Sequence, residues 1–297
     1  MHNFIDTSDW HLREDKPLCF IGTDLQWMQA QEDAINFIVD QANGYAADIY
    51  HNGDLYNTPR VAPSVSNMFL RAIQRLHGKF YIIAGNHCLP WHKQENLMDS
   101  SIGALAAQSN ENSKIQYIPC IDATVAGKFE HYAPISDRIV MIHTLAFPDK
   151  ESIPFGATAY TGKELLDKYP SYEILLVGDY HEAFRLWEGN RQIINPGCMM
   201  IQAADMIKYQ PKIAYVDLNP ALKVFEWIDI PTDYTLLTDN HLSIKAERDS
   251  RIRAFVETIK KNGKLSLSFT DNLDKFILEN DLDQDTKNML EEIKGDN

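Results

Sequence analysis

Phe4-Ile5-Asp6-Thr7-Ser8-Asp9-Trp10-His11-Leu12 decides how the rest of the chain is read. An apolar strand at Phe4 and Ile5 runs into a small polar turn, and that turn delivers a carboxylate and an imidazole two residues apart. In open α/β sheets ligands gather at the carboxyl ends of strands, where the loops begin. Asp9-x-His11 at such a place aims an oxygen and a nitrogen donor at one cation. Alone the tripeptide says little, because many surface loops hold an Asp and a His this close. Its weight comes from four later clusters of the same kind.

Working outward, residues 13–24 read as a polar loop over the site, and Ala30 to Ala42 as an amphipathic helix with Ala34, Phe37, Ile38 and Gln41 on one stripe. Ala46 to His51 reads as a strand emptying into Asn52-Gly53-Asp54. A helix from Ser64 to Leu76 buries Val65, Met68, Phe69 and Ala72 and ends at a glycine cap, Gly78. Lys79 to Ala84 is a strand that runs into Gly85-Asn86-His87-Cys88. This alternation is α/β architecture. The second half carries short strands with few helices between them: 115–118, 123–129, 138–143, 173–177, 184–187, 192–194, 212–218 and 222–228. The expected fold is therefore two stacked mixed β-sheets flanked by helices. Pro231 marks the expected boundary, with a main domain over 1–230 and a small α+β cap over 231–297. In the cap, Ser243 to Lys264 holds seven basic and three acidic residues, 265–269 alternates as a strand, and the acidic remainder reads as helix through Leu273, Phe276, Ile277, Met289, Leu290 and Ile293.

The chain of 297 residues can bury a large core, and its 44% hydrophobic and 24% charged content is that of an ordinary globular protein. The first residues show no basic region followed by an apolar run, and no segment approaches 18 apolar residues, so a cytoplasmic protein with no membrane span is expected. Cys19, Cys88, Cys120 and Cys198 are scattered, as suits free thiols in a reducing compartment. The formal charge of -14 argues against broad coating of nucleic acid, but bound divalent cations would offset a carboxylate centre.

The five strand-end clusters are Asp9-x-His11, Gly53-Asp54, Gly85-Asn86-His87, His143 after Ile139-Val140-Met141-Ile142, and Gly178-Asp179-Tyr180-His181. They supply carboxylates, imidazoles and one amide oxygen, and require no thiolate. That donor set suits a pair of divalent ions rather than a structural zinc site. Taken singly, Asp9 and Asp54 read equally well as caps or turn residues, and His143 as a hydrogen-bonded core residue. Trp10 and Tyr180 read as packing props for the loops, His51 and His92 as additional imidazoles outside the donor set, and the basic segment 245–264 as a solvated helix face.

In this order the motifs resemble those of calcineurin-type metallophosphoesterases, and the opening Thr7-Ser8-Asp9-Trp10-His11-Leu12 is most similar to SbcD-like nucleases of DNA double-strand-break processing, bacterial or tailed-phage. Ile194-Asn195-Pro196-Gly197-Cys198 resembles the segment that follows the last metal motif in such enzymes. The resemblance spans about residues 1–230. It implies that Asp9, His11 and His181 hold one ion, that Asp54 bridges to a second completed by Asn86 and His143, and that His87 works on the scissile phosphate. It implies hydrolysis of phosphodiester bonds in DNA during recombination and repair, two divalent ions with manganese favoured over magnesium, iron or zinc, and an ATPase partner of the SbcC type; it leaves room for a homodimer. The terminal helices, Leu273 to Ile293, are the expected partner contact.

One departure bears on the metals. Asp179 stands where these enzymes have a histidine, and a carboxylate there keeps a ligand but adds negative charge and favours hard ions. Cys88 reads as a neighbour of the site rather than a nucleophile. Two other functions stay open: a metallophosphoesterase acting on nucleotides or cyclic nucleotides, and a weakly active metal-bound scaffold subunit.

Overall fold

A computed structural model describes residues 3–125, 128–218, 224–240, 250–252, 269–280 and 282–295. The chain divides into two compact units, Met1–Asp239 and Asn240–Asn297.

The first unit is built on two six-stranded sheets. In one, β1 (Asn3–Thr7), β2 (Asp48–His51), β3 (Phe80–Ile82) and β4 (Ile115–Tyr117) run parallel, and β13 (Lys212–Asp217) and β14 (Phe225–Asp229) extend the β1 edge antiparallel. The other has a parallel centre of β7 (Ile139–His143), β10 (Ile174–Gly178) and β12 (Arg191–Asn195). Antiparallel β11 (Phe184–Glu188) closes one side, and the hairpin β5 (Ile121–Val125) and β6 (Lys128–Pro134) closes the other. A small parallel pair, β8 (Ala146–Phe147) and β9 (Tyr160–Thr161), sits apart. The expected α/β sandwich of two mixed sheets is what the chain forms.

Alternation along the strands explains the layering. Phe4, Tyr50, Met141, Leu176, Ile194 and Val216 share the core cluster that joins both sheets. Their neighbours Ile5 and Ile49 turn to the helical layer of α1 (Asp24–Gly44), α2 (Pro63–Gln74) and α3 (Ser101–Gln108). Val140, Ile142, Leu175, Val177 and Ile193 turn the other way, beneath α4 (Gly162–Lys168). Strands covered on both faces read as unbroken apolar runs, which is the pattern of Ile139–Ile142 and Ile174–Val177. Each such side chain contributes about 1.5–3 kcal/mol by leaving water.

Several expectations are corrected. α1 starts at Asp24 rather than Ala30, because Thr23 and Gln26 form a reciprocal capping box that satisfies the first orphan N–H groups. α2 ends at Gln74 with Arg75 as its C-cap, so Gly78 is not its cap. A Cβ at Gly78 would lie 2.6 Å from Asp48 Oδ1 and 2.7 Å from the Ala47 carbonyl, so the glycine serves close approach to the start of β2. The single strand expected over 123–129 is the β5–β6 hairpin. The short helices α3 and α4 were not expected; Ser100 and Thr161 cap them. Residues 231–239 lie in the first unit: the Ile21 N–H donates to the Leu236 carbonyl, and the Thr238 N–H to that of Cys19.

In the second unit the helices Phe269–Glu279 and Gln284–Gly295 are described, with Leu273 buried. The helix begins at Phe269, and residues 265–268 of the expected strand lie outside the described residues, as does the basic segment apart from residues 250–252. Among the described residues no helix is long and apolar enough to cross a membrane.

Leu176→Ala removes a side chain fully buried between the sheets, and a loss of ~2–5 kcal/mol in unfolding free energy is expected by urea denaturation. The same truncation at Leu25, which is 80% exposed, is expected to change stability by less than ~0.5 kcal/mol.

Candidate metal centre

β1, β2, β3, β7 and β10 each end in a sharp turn, and the five turns meet. Left-handed backbone makes three of them, those after β1, β2 and β10: φ is 52° at Asp9, 46° at His11, 54° at Asp54 and 97° at Asp179. Non-glycine residues rarely adopt this region, although Asp and His tolerate it better than most. The loops also approach closer than side chains permit. A Cβ at Gly53, whose φ is 102°, would lie 2.4 Å from His143 Nδ1; one at Gly85 would lie 2.2 Å from Asp54 Oδ1; one at Gly178 would lie 2.0 Å from Ser8 Oγ. The glycines of three motifs are therefore spacers that let carboxylates and imidazoles meet.

All eight side chains singled out in the sequence come together. His11 Nε2 lies 3.1 Å from His181 Nε2 and 3.8 Å from both Asp9 Oδ1 and Asp54 Oδ2. On the other side of Asp54, His143 Nε2 lies 2.9 Å from Asn86 Oδ1, 3.4 Å from Asp54 Oδ2 and 3.9 Å from Asp179 Oδ1. Among the described residues, three groups of donor atoms fall within 4.8 Å of one another and could hold an ion: Asp9, His11 and His181; Asp9, Asp54 and His143; and His11, Asp54 and His87. The last group differs from the expectation that His87 stands outside the donor set, since the geometry also offers it as a donor.

The donor set fits divalent cations on three counts. Adjacent ligands of one ion with bonds of about 2.1 Å stand roughly 3 Å or more apart, which matches these separations. Asp54 Oδ2 is buried with no hydrogen-bond partner, and a buried polar atom left without one costs stability. His143 donates Nδ1–H to the Asn52 carbonyl at 2.8 Å, so in the neutral ring the lone pair of Nε2 faces the acceptor oxygens of Asn86 and Asp54. Only a proton or a cation relieves that contact.

The electrostatics agree. Burial would lower the pKa of His143, but the carboxylates of Asp54, Asp179 and Asp9 raise it to about 10. Burial tends to raise Asp54, yet the His143 cation beside it holds it well below the usual carboxylate range. Burial pushes Asp9 and Asp179 up to about 6 and His11 down to about 3. The centre thus gathers more negative charge than the protein alone offsets.

Residues around the donors hold them in place, and sequence reasoning missed most of them. Asn52 presents its carbonyl to His143 and donates its amide to Asp6 Oδ1 at 2.8 Å and to the Val177 carbonyl at 3.3 Å. The Asp179 N–H donates to both carboxylate oxygens of Asp9, at 3.0 and 3.2 Å, so this residue orients one donor while presenting its own. Asn195 donates to the carbonyls of Tyr180 and Glu182 at 2.7 and 2.8 Å and clamps the turn that carries His181. Its place in the Asn-Pro-Gly segment was the available signal. Trp10 is buried behind the loop, donating to Thr7 Oγ1 at 2.7 Å and packing on His51, Phe69 and Phe80. His51 packs on Phe80, neither of its nitrogens has a hydrogen-bond partner, and burial lowers its pKa to about 3. Tyr180 packs on Phe147 and Phe184. The buried Cys88 thiol is pushed up to about 12 and donates to the Tyr56 carbonyl, so it stays protonated and is no nucleophile.

No protein-family profile and no curated protein matches the chain. Among solved structures, an archaeal phosphodiesterase is 16% identical, with 76% of this chain and 99% of that one covered at a TM-score of 0.39. A hypothetical protein of Pyrococcus horikoshii is 13% identical over 84% and 94%, with a TM-score of 0.42. Zinc-complexed Vps29 of Entamoeba histolytica is 10% identical over 77% and 99%, with a TM-score of 0.36.

Gly85→Ala removes no donor but drives a methyl group into Asp54, and metal affinity is expected to fall about 10–100-fold, measured by metal content after dialysis at graded free manganese. Asp179→His replaces an oxygen donor by nitrogen and is expected to shift the bound ion from manganese towards zinc in a competition assay.

Proposed function

We propose that the chain is a dinuclear-metal-dependent phosphodiesterase that cleaves DNA, with the catalytic unit resembling SbcD-like nucleases. One observation carries the reading: Asp54 Oδ2, buried and without a hydrogen bond, lies within 3.8 and 3.4 Å of the Nε2 atoms of His11 and His143. A carboxylate so placed serves two donor groups at once, and the ordered strand-end motifs supply the remainder of each.

When bound, two divalent ions would activate a water and stabilise the charge that develops on phosphate oxygens in an in-line displacement. Asp9, His11 and His181 would hold one ion, and Asn86, His143 and Asp179 the other, with Asp54 common to both.

His87 is the residue assigned to the leaving group. Its backbone N–H donates to Asp54 Oδ1 at 2.9 Å, which ties it to the centre. Nδ1–H donates to the Asn57 carbonyl at 3.1 Å, which sets the ring and leaves Nε2 facing out; with both ring nitrogens protonated, the Nε2 proton passes to the departing oxygen and the ring is left neutral, still bonded to Asn57 through Nδ1–H. His87 is exposed, whereas Asp9, His11, Asp54 and His143 are buried. The proton donor thus lies on the solvent side of the donors, where a polymer reaches it without entering the fold. An ATPase of the SbcC type is the partner implied by the same resemblance, with the terminal helices as the contact.

The test is cleavage of linear duplex DNA, single-stranded DNA and free nucleotides by the purified protein in manganese. Cleavage of DNA is expected, and activity confined to nucleotides would reject the nuclease reading. His87→Ala is expected to lower kcat about 10²–10⁴-fold with metal content unchanged, whereas Asp54→Ala is expected to lose metal together with activity. Undiminished cleavage by His87→Ala would remove it from the role assigned here.

A further inference from the structure

The loop after Gly85-Asn86-His87 holds two consecutive bulky residues in left-handed backbone, Trp91 and His92, each with φ of 57°. Such residues are rare there because Cβ crowds the carbonyl, and the conformation persists only where the surroundings impose it. For His92 the compensation is visible. Its Nδ1–H donates to the Asn86 carbonyl at 2.8 Å, its backbone N–H donates to the Leu89 carbonyl, and its ring lies 6.5 Å from that of His87. The tip of the loop is therefore pinned to the turn that carries Asn86 and His87.

Trp91 gets no such compensation. It is 84% exposed, and its indole makes no hydrogen bond and no ring contact with any described residue. The other four tryptophans are all engaged: Trp10 packs on Phe69 and Phe80, Trp27 on Phe20, Trp187 against the Arg185 guanidinium, and Trp227 on Phe225. A rigid apolar plane is thus held in water, on strained backbone, one residue from a side chain bonded to the backbone of Asn86.

We propose that Trp91 is a stacking platform for an unpaired nucleobase of the substrate, next to the phosphodiester presented to His87. The inference rests on phosphodiester hydrolysis at the centre and adds the class of substrate: a strand whose base faces are open. An indole stacks on any base, because every base has a π-face, so the contact favours unpaired ends without reading sequence. Paired bases have both faces covered by their neighbours. The strain is the cost of keeping the ring presented, and base stacking repays it.

The experiment compares steady-state cleavage of a short oligothymidylate with that of the same backbone carrying abasic residues flanking the scissile bond, both in manganese. Trp91→Ala is expected to raise KM for the oligothymidylate about tenfold, to leave kcat near its original value, and to leave the abasic substrate unaffected. Trp91→Phe is expected to keep most of the affinity. Trp91→Gly, which accepts this backbone without strain, is expected to match Trp91→Ala, showing that the ring matters and not the strain. An equal KM shift on both substrates, or none on either, overturns the proposal. So does a wild-type enzyme that cleaves both substrates with one KM, and that result leaves the phosphodiesterase reading intact. A wild-type enzyme that cleaves neither of these while cleaving duplex DNA overturns the proposal alone, and one that cleaves no phosphodiester substrate in manganese overturns both.

Discussion

A buried carboxylate with no proton and no hydrogen bond for one of its oxygens is the constraint from which the rest of the centre follows. Asp54 Oδ2 lies 3.8 and 3.4 Å from the Nε2 atoms of His11 and His143, and the carboxylates of Asp9 and Asp179 bear on the same centre. Ions of like charge in low dielectric repel strongly, so a protein keeps such a group only if something positive compensates it. Without a cation, protonated His143 fills that role in part, which is why its pKa climbs despite full burial. Two divalent cations would do so completely and would return His143 to a lone-pair donor.

Geometry had to be forced to achieve this. Asp9, His11, Asp54 and Asp179 all occupy left-handed backbone, at roughly 1–2 kcal/mol for each residue. Four such residues approach the whole net stability of an ordinary domain, about 5–15 kcal/mol. The strands that end in these turns, β1, β2 and β10, each buried on both faces, supply the rigid support that holds the strain in place. The glycines beside the donors complete the device, since each stands where a single methyl group would strike a donor atom or the groups that support it.

Orientation of the imidazoles depends on backbone carbonyls. Asn52 receives the Nδ1 proton of His143, Asn57 that of His87, and Asn86 that of His92. In each ring one nitrogen is anchored, leaving the other for chemistry or for metal. Two of these carbonyls belong to the Asn52–Asn57 turn, so a short segment aligns histidines from two different strands while carrying Asp54 itself. Asp179 shows the same economy from the opposite sheet, with its N–H on Asp9 and its carboxylate towards His143.

Much of this was legible in the amino-acid order. Apolar runs at Phe4–Ile5, Phe80–Ile83, Ile139–Ile142 and Ile174–Val177 announce strands, and the polar clusters that end them announce the donors, because a strand must hand its side chains to a loop at its carboxyl end. Helix starts at Thr23, Ser100 and Thr161 were less visible, since a cap is a local hydrogen bond and not a period. What only the tertiary structure decided is distance: that His11 and His181, 170 residues apart, bring their ring nitrogens together, that Asn52 and Asn195 hold the turns, and that His87 lies within reach of the donor set. Periodicity records which face of a strand is apolar. Convergence of strand ends depends on twist, register and the clearance left by a missing Cβ, and those are properties of the packed chain.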